Sequence, residues 1–499
     1  MSNESNCLVW FDLGPYAYLH LGIARSINDI KKINFYGFVS SKYEYDFLNH
    51  QNLVFKDLIY YPDCYIGKQN YDLLYLKNIE KEYDIDLWLL VYSERFFSKY
   101  RNNFHKFSKD EILSIVFHTI KFYIEHLKKI KPDFLIMQTA GENISNFLLY
   151  KIAKKMGIKI FMANPIHIHD TFVLSDNLIS REITDEYQKI FPTYKNSDPI
   201  YDKNFIKNQS LIETVKVQSD FIFDNSTNTQ KFRHYLSRMK NDPEPIYQNY
   251  GKSKSKMLKT KYEVPTIYKK REEFLFSHSI NRIEDENFLY LPLQTEPESK
   301  VLATAHFFND QINLVENVAR SIPIEQILYV KEHPVQKSKF WRPIEDYKRI
   351  LELQNVKLIH PDFNSQELIS KCTAVIAIMG SAGFEALFYK KPVILFSDEY
   401  YDVLSMVKKV ENITQLPKII QNHLETFKFN NLELNALMEA TNSCSISIPY
   451  FSMMKDALII SSTQKNSETN KSVKIFEKFY STYEKYFQLI AKTIDSKII

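Results

Sequence analysis

The sequence predicts an α/β fold of two doubly wound domains facing a cleft, followed by a helical C-terminal tail. Three observations carry this expectation. Strand-length apolar runs alternate with helical stretches, first at CLVWFDL, NFYGFVS, DFLIMQT and IKIFMAN, then at FLYLPL, ILYVK, VKLI, AVIAIM and PVILFS. Alternation of this kind builds parallel sheets buried on both faces. The runs also stop abruptly at polar residues, as buried strands do where they pass into loops at their carboxyl ends. Finally, 499 residues exceed what one hydrophobic core organises, so two sets of strands imply two cores.

In chain order, CLVWFDL (7–13) is the first strand, followed by the loop GPYAYLH, a helix over about 19–31, and the strand NFYGFVS (34–40). Asp12, Gly14 and His20 follow a strand end and are candidates to face a cleft, although the GxGxxG dinucleotide fingerprint is missing. LVFKDLIYY and DLWLLVYS read as short strands. Ile112, Ile115, Val116, Ile120, Phe122, Tyr123 and Leu127 recur close to helical spacing and predict a helix over about 109–131, ended by Pro132. DFLIMQT (133–139), a helix in AGENISNFLLYKIAKKMG and IKIFMAN (158–164) form a crossover unit. Its strand ends bring Gln138, Thr139, Gly141, Glu142 and Asn143 to the same sheet edge as Asn164, His167, His169 and Asp170.

Periodicity weakens over 178–284. The basic stretch KSKSKMLKTKYEVPTIYKKREE (252–273) reads most simply as a solvated helix or loop, and more sharply as a face toward an anionic membrane or lipid-linked substrate. From 287 the pattern resumes with FLYLPL, a helix in TAHFFNDQINLVENVARSI, ILYVKEHP, a polar loop, a helix ending near 353, VKLIHP, SQELISKCT, AVIAIM, SAGFEALFYK and PVILFS. A polar break at 461–472 precedes an amphipathic helix over about 473–494. The expected division is 1–180, an irregular basic connection over 181–285, a second domain over 286–460 and the tail 461–499.

Composition excludes several classes. Lys and Arg number 64 against 60 Asp and Glu, and they are dispersed, so there is no nucleic-acid footprint. The start lacks a basic region ahead of an apolar segment, and no apolar run reaches 18 residues. A cytoplasmic location is expected, with peripheral inner-membrane contact open to the basic stretch. Cys7, Cys64, Cys372 and Cys444 fit neither a disulfide framework nor a zinc spacing.

Three strand ends carry the candidate chemistry. Gly380, Ser381, Ala382 and Gly383 form a strand-to-helix turn whose free N–H groups suit a phosphate, with Glu385 available to hydroxyls. In YVKEHP, Lys331 and His333 offer donors to an anion and Pro334 fixes the exit of the chain. In LPLQTEPES, Gln294 and Thr295 suit a base or a phosphate, while the Glu296 carboxylate needs a hydroxyl, an amino group or a basic partner.

FLYLPLQTEPES, YVKEHP and GSAGFEALFYKKPVILF, in that order, resemble the C-terminal half of bacterial capsule and surface polysaccharide biosynthesis proteins, a group related to transferases that use CMP-Kdo. The stretch from PDFLIMQT to FVLSDN resembles the N-terminal half. The resemblance implies a GT-B-like pair of Rossmann-like domains, a glycosyltransferase activity, and CMP contacts at His333, Pro334 and Ser381. The implied partners are a nucleotide-sugar, CMP-linked in preference to UDP-linked, and a glycan or lipid-linked acceptor.

No cofactor or metal is expected, since no DxD-like motif stands at a strand end. The Glu-Asp-Gly-Phe motif of the related transferases has no counterpart, so the catalytic carboxylate is sought by position: Glu142, then Asp170 and Asp12. His20, Gln138, Asn143, His167 and His169 are expected at the acceptor. A base among these carboxylates inverts the anomeric carbon, whereas a nucleophile retains its configuration. A UDP-sugar 2-epimerase and a non-catalytic glycan-assembly protein are the alternatives.

Overall fold

The computed structural model describes residues 5–12, 14–97, 104–166, 168, 171–207, 243–339, 341–464 and 469–498. Its strands in chain order begin with β1 (Ser5–Phe11), β2 (Ile33–Val39), β3 (Phe55–Tyr60), β4 (Phe134–Met137), β5 (Lys159–Ile166) and β6 (Thr171–Ser175). The first five are parallel, in the order β3-β2-β1-β4-β5, and β6 extends the sheet antiparallel. A second sheet holds β7 (Phe288–Pro292), β8 (Ile327–Lys331), β9 (Val356–Ile359), β10 (Ala374–Ala377), β11 (Val393–Leu395) and β12 (Val407–Lys409), all parallel, in the order β9-β8-β7-β10-β11-β12. Both orders are doubly wound. The strand order reverses between β1 and β4 in one sheet and between β7 and β10 in the other, and such reversals open crevices at carboxyl ends. The chain is therefore α/β with two Rossmann-like halves in a GT-B-like arrangement.

Helices cover both faces of each sheet. In β1, Leu8 and Trp10 pack toward the helix Lys109–Ile130, while Val9 and Phe11 pack toward the helix Pro15–Ile30. That two-sided burial is why the strand reads as a continuous apolar run, each side chain contributing roughly 1.5–3 kcal/mol.

The end of the chain returns to the first half. β13 (Ile446–Ser447) pairs with β6, and the helix Thr469–Ile498 lays Phe476, Phe479, Tyr483, Phe487, Ile490 and Ile494 against the helix Pro15–Ile30. The crossing falls ahead of the boundary expected at 461. Gly22 permits this contact, because a Cβ there would lie 2.5 Å from the Phe487 ring.

Four expectations need correction. The first helix begins at Pro15, where proline at the first position follows Gly14 at φ 79°. DLWLLVYS is a helix, Leu87–Ser93, because the Asp86 side chain caps it and Leu87, Leu90 and Val91 share one buried face. The helix expected from TAHFFNDQINLVENVARSI is broken into Ser299–Thr304, a 3₁₀ turn at His306–Phe308 and Gln311–Ala319, which Asp310 caps. β6 was not expected at all. The basic stretch is a helix, Lys254–His278, that contains Pro265. Among the described residues no helix is long and apolar enough to cross a membrane.

Candidate functional site

A glutamine spans each reversal point. In the first half, Gln138 follows β4 and donates from Nε2 to Asp12 Oδ2, at the end of β1, at 2.6 Å. In the second, Gln294 follows β7 and donates from Nε2 to the Met379 carbonyl, beyond β10, at 2.9 Å. These bonds hold the strand ends at the width of the two crevices.

In the first half, Asp12 also accepts from Ser40 Oγ at 3.0 Å and from Asn143 Nδ2 at 3.2 Å. With donors on both oxygens and 7% exposure, it organises the strand ends and is poorly placed as a base. Asn143 caps the helix Ile144–Lys155. Gln138 is buried and committed to Asp12. His20 is turned into the core, where Nδ1 meets the Trp10 carbonyl at 2.7 Å and burial lowers the imidazole to about 4. Neither residue faces an acceptor, which corrects both expectations. His167, His169 and Asp170 lie outside the described residues.

Glu142 is half-exposed at the mouth of the crevice. Arg95 donates to its Oε2 at 2.7 Å and also to its carbonyl, while Ser299 of the second half donates to Oε1 at 2.9 Å. Arg95 was missed in the sequence because it follows the helix read as a strand. Behind it, buried Glu94 accepts from the Ile144 N–H and from Tyr247 Oη, fixing the helix start beside Glu142.

In the second half, Lys331 is 3% exposed and donates to Ser365 Oγ at 3.0 Å. Burial lowers its ammonium to about 8, opposed by Asp362, Glu332 and Glu385. Burial likewise raises the Glu385 carboxyl to about 7, against a hydrogen bond from Ser381 and the charge of Lys331. His333 accepts the Val335 N–H on Nδ1 at 3.1 Å, so its neutral form carries the proton on Nε2, which has no partner among the described residues. Burial, then the charges of Lys331 and Lys339, lower this imidazole to about 4. Pro334 opens a 3₁₀ turn directly after it.

The helix Ser381–Phe388 starts without a side-chain cap, which leaves the N–H groups of Ser381, Ala382 and Gly383 without intrahelical acceptors. Gly380, at φ 97°, makes the turn. Its N–H donates to Glu399 at 2.7 Å and its carbonyl accepts from Tyr401 Oη at 2.7 Å.

Two residues expected at the ligand are held elsewhere. Glu296 pairs with Arg342, which also bonds fully buried Glu332 at 2.8 Å and the Gln294 carbonyl. Thr295 is buried and donates to Glu298. LPLQTEPES is therefore mainly a clamp joining the ends of β7 and β8, and its Gln294 reaches the Gly380 turn.

A cavity of about 400 Å³ lies between the halves. Tyr16, Thr139, Glu142 and Asn164 form one wall, Ser299, Lys300, Gly380, Glu399 and Tyr401 the other, and Tyr450 and Met454 of the returning chain close the side. A second cavity, of about 610 Å³, adjoins the first half's strand ends, and Tyr16 and Glu142 line both. The arrangement places the Glu142 carboxylate between the two cavities, with Glu298 and Glu399 also lining the one that reaches the helix start.

Residues 194–418 match the family described as capsule polysaccharide biosynthesis protein. The capsule polysaccharide export protein KpsS of Escherichia coli is 25% identical over 145 residues, 28% of this chain and 36% of that protein. Protein FixF of Sinorhizobium fredii is 28% identical over 132 residues, 26% of this chain and 31% of that protein. The chain thus spans about a third of the length of the curated relatives it matches. Among solved structures, the β-Kdo 2,7 transferase KpsC of Thermosulfurimonas dismutans aligns at 12% identity and a TM-score of 0.32, covering 78% of this chain and 96% of that one. The UDP-GlcNAc 2-epimerase of Methanocaldococcus jannaschii aligns at 14% identity and a TM-score of 0.27, covering 87% and 99%. The segment similar to the capsule polysaccharide biosynthesis protein family is the one that carries β7 to β12 and the helix start at Ser381.

Proposed function

We propose that this protein is a glycosyltransferase of surface polysaccharide biosynthesis, acting at the cytoplasmic side. It moves a sugar from a nucleotide-activated donor, CMP-linked and of the Kdo type, to a glycan or glycolipid acceptor. The observation that supports this reading best is the position of Glu142 as the shared wall of two cavities, one of which reaches the Gly380 turn.

In this reading the N–H groups of 381–383, the Ser381 hydroxyl and His333 Nε2 receive the CMP phosphate, and Lys331 supplies positive charge behind them. Glu385 faces the ribose hydroxyls. As the glycosidic bond to the nucleotide breaks, these donors stabilise the charge left on the phosphate, so no metal is required. Glu142 either takes the proton of the acceptor hydroxyl or attacks the anomeric carbon. Arg95 and Ser299 orient it, and Tyr16 adjoins it in both cavities.

A calorimetric or thermal-shift panel of CMP, UDP, GDP and their sugars tests this assignment. A ligand at a hundred times its Kd stabilises the native state by about 2.7 kcal/mol, so the matching nucleotide stands apart. CMP is expected first. A response to UDP without one to CMP overturns the donor assignment.

A further inference from the structure

The segment 399–401 is bolted to the turn at Gly380 from both of its ends. Glu399 accepts the Gly380 N–H at 2.7 Å, and Tyr401 Oη donates to the Gly380 carbonyl at 2.7 Å. Tyr400 stands between them. Its carbonyl accepts from Thr184 Oγ1 at 3.4 Å, and its ring packs against Phe384 of the helix Ser381–Phe388, with 5.6 Å between ring centres, and against Tyr401 at 5.4 Å. The residue is 6% exposed, so packing fixes its side chain relative to the phosphate-suited helix start.

Only the hydroxyl is left over. Tyr400 Oη is buried without a hydrogen-bond partner, and among the described residues Tyr400 is the one lining the cavity of about 400 Å³ whose side chain carries such an atom. Burial, then the charge of Glu399, hold the phenol protonated well above its usual range, so it stays a donor. An unpaired buried hydroxyl costs stability, and phenylalanine would fill the same space without that cost.

The acids of the cavity wall are already engaged. Glu142 holds Arg95 and Ser299, Glu298 holds Thr295, and Glu399 holds the Gly380 N–H and lies 3.6 Å from Lys300 Nζ. What this wall leaves open beside the turn is a neutral hydroxyl, whose natural partner is another hydroxyl. In a nucleotide-sugar the sugar is bonded directly to the phosphate. A phosphate at the helix start therefore puts the sugar ring in this cavity, beside a side chain fixed to the same turn.

We propose that Tyr400 sets donor specificity, its hydroxyl bonding a hydroxyl of the donor sugar while the Gly380 turn holds the phosphate. The proposal rests on the transferase reading and adds the residue that reads the sugar apart from its nucleotide.

Isothermal calorimetry of wild type and Tyr400→Phe with CMP, CMP-Kdo, UDP and UDP-GlcNAc tests this, together with urea midpoints of the two ligand-free proteins. For the nucleotide that binds, Tyr400→Phe should leave the Kd of the bare nucleotide unchanged and weaken its sugar conjugate by about tenfold, the loss of one hydrogen bond between neutral groups. The ligand-free variant should be at least as stable as wild type, because the hydroxyl it lacks had no partner. A purely structural role would lower the urea midpoint and leave the ratio of the two Kd values as it was.

An unchanged Kd for the sugar conjugate, or a ligand-free variant less stable than wild type, overturns the proposal. Binding of the bare nucleotide in the same titrations leaves the transferase reading standing. If none of the four ligands binds wild type, that reading falls and the proposal falls with it.

Discussion

Ser299 Oγ donates to Glu142 Oε1 at 2.9 Å, joining the two halves of the molecule across the cleft. Arg95 holds the other oxygen at 2.7 Å, so the carboxylate is fixed from both sides of the domain boundary. Glu142→Gln keeps the volume and removes the charge. Turnover is expected to fall by about a hundredfold or more, with CMP affinity and thermal midpoint unchanged. Ser299→Ala removes one hydrogen bond to the same group and should cost about tenfold. Equal losses in the two variants, measured by single-turnover transfer, would assign the bond to domain closure and remove Glu142 from the chemistry.

His333→Ala and Ser381→Ala should each weaken CMP binding by about tenfold, since each removes a donor to a charged phosphate. Isothermal calorimetry reads the change. An unaltered Kd in the double variant would move the nucleotide away from this edge.

The pH dependence of nucleotide binding has a worked sign. Lys331 titrates at about 8 and Glu385 at about 7, so raising pH adds negative charge at Glu385 and then removes positive charge at Lys331. Both changes oppose an anion, and CMP affinity should decline from pH 6.5 to 8.5. His333, at about 4, stays neutral through this window and adds no slope. Lys331→Met should flatten the upper limb, and a level wild-type profile would refute the placement of the phosphate.

Stability on the acid side follows the buried histidines. The folded-state values of His20 and His333 lie below the unfolded value of 6.5, so the unfolded chain takes up protons first as pH falls. Stability contributed above pH 6.5 should be lost progressively toward pH 4, by about 3 kcal/mol for the well-buried His20. The difference in urea midpoint between wild type and His20→Gln, followed from pH 7 to 4, isolates this loss from the opposite contribution of the raised Glu385 carboxyl.

Two substitutions test the architecture. Arg342→Met strands Glu332 as a fully buried, unpaired carboxylate and should destabilise the second half by about 3–5 kcal/mol; adding Glu332→Leu should recover part of it. Gly22→Ala drives a Cβ against the Phe487 ring and should cost about 1–3 kcal/mol, relieved by Phe487→Leu. Urea unfolding reads both, and an additive Gly22 and Phe487 pair would mean the C-terminal helix does not dock there.

The sequence by itself determined the class of the fold and which strand ends carry the candidate residues of the second half. Continuous apolar runs such as FLYLP and AVIA are the direct imprint of strands covered on both faces, and ten of the strands lie where such runs or LVFKDLIYY predict them. The turn at Gly380 and the cluster of Lys331, His333 and Ser381 were legible because strand ends and helix starts are local features.

Tertiary structure decided the rest. Glu296 reads as a cleft carboxylate until Arg342, 46 residues on, arrives to neutralise it, and Asp12 reads as a base until Gln138 and Asn143 occupy it. The bond between Glu142 and Ser299 spans 157 residues and two cores. Such pairings depend on how the sheets are ordered and faced, and no local spacing encodes that.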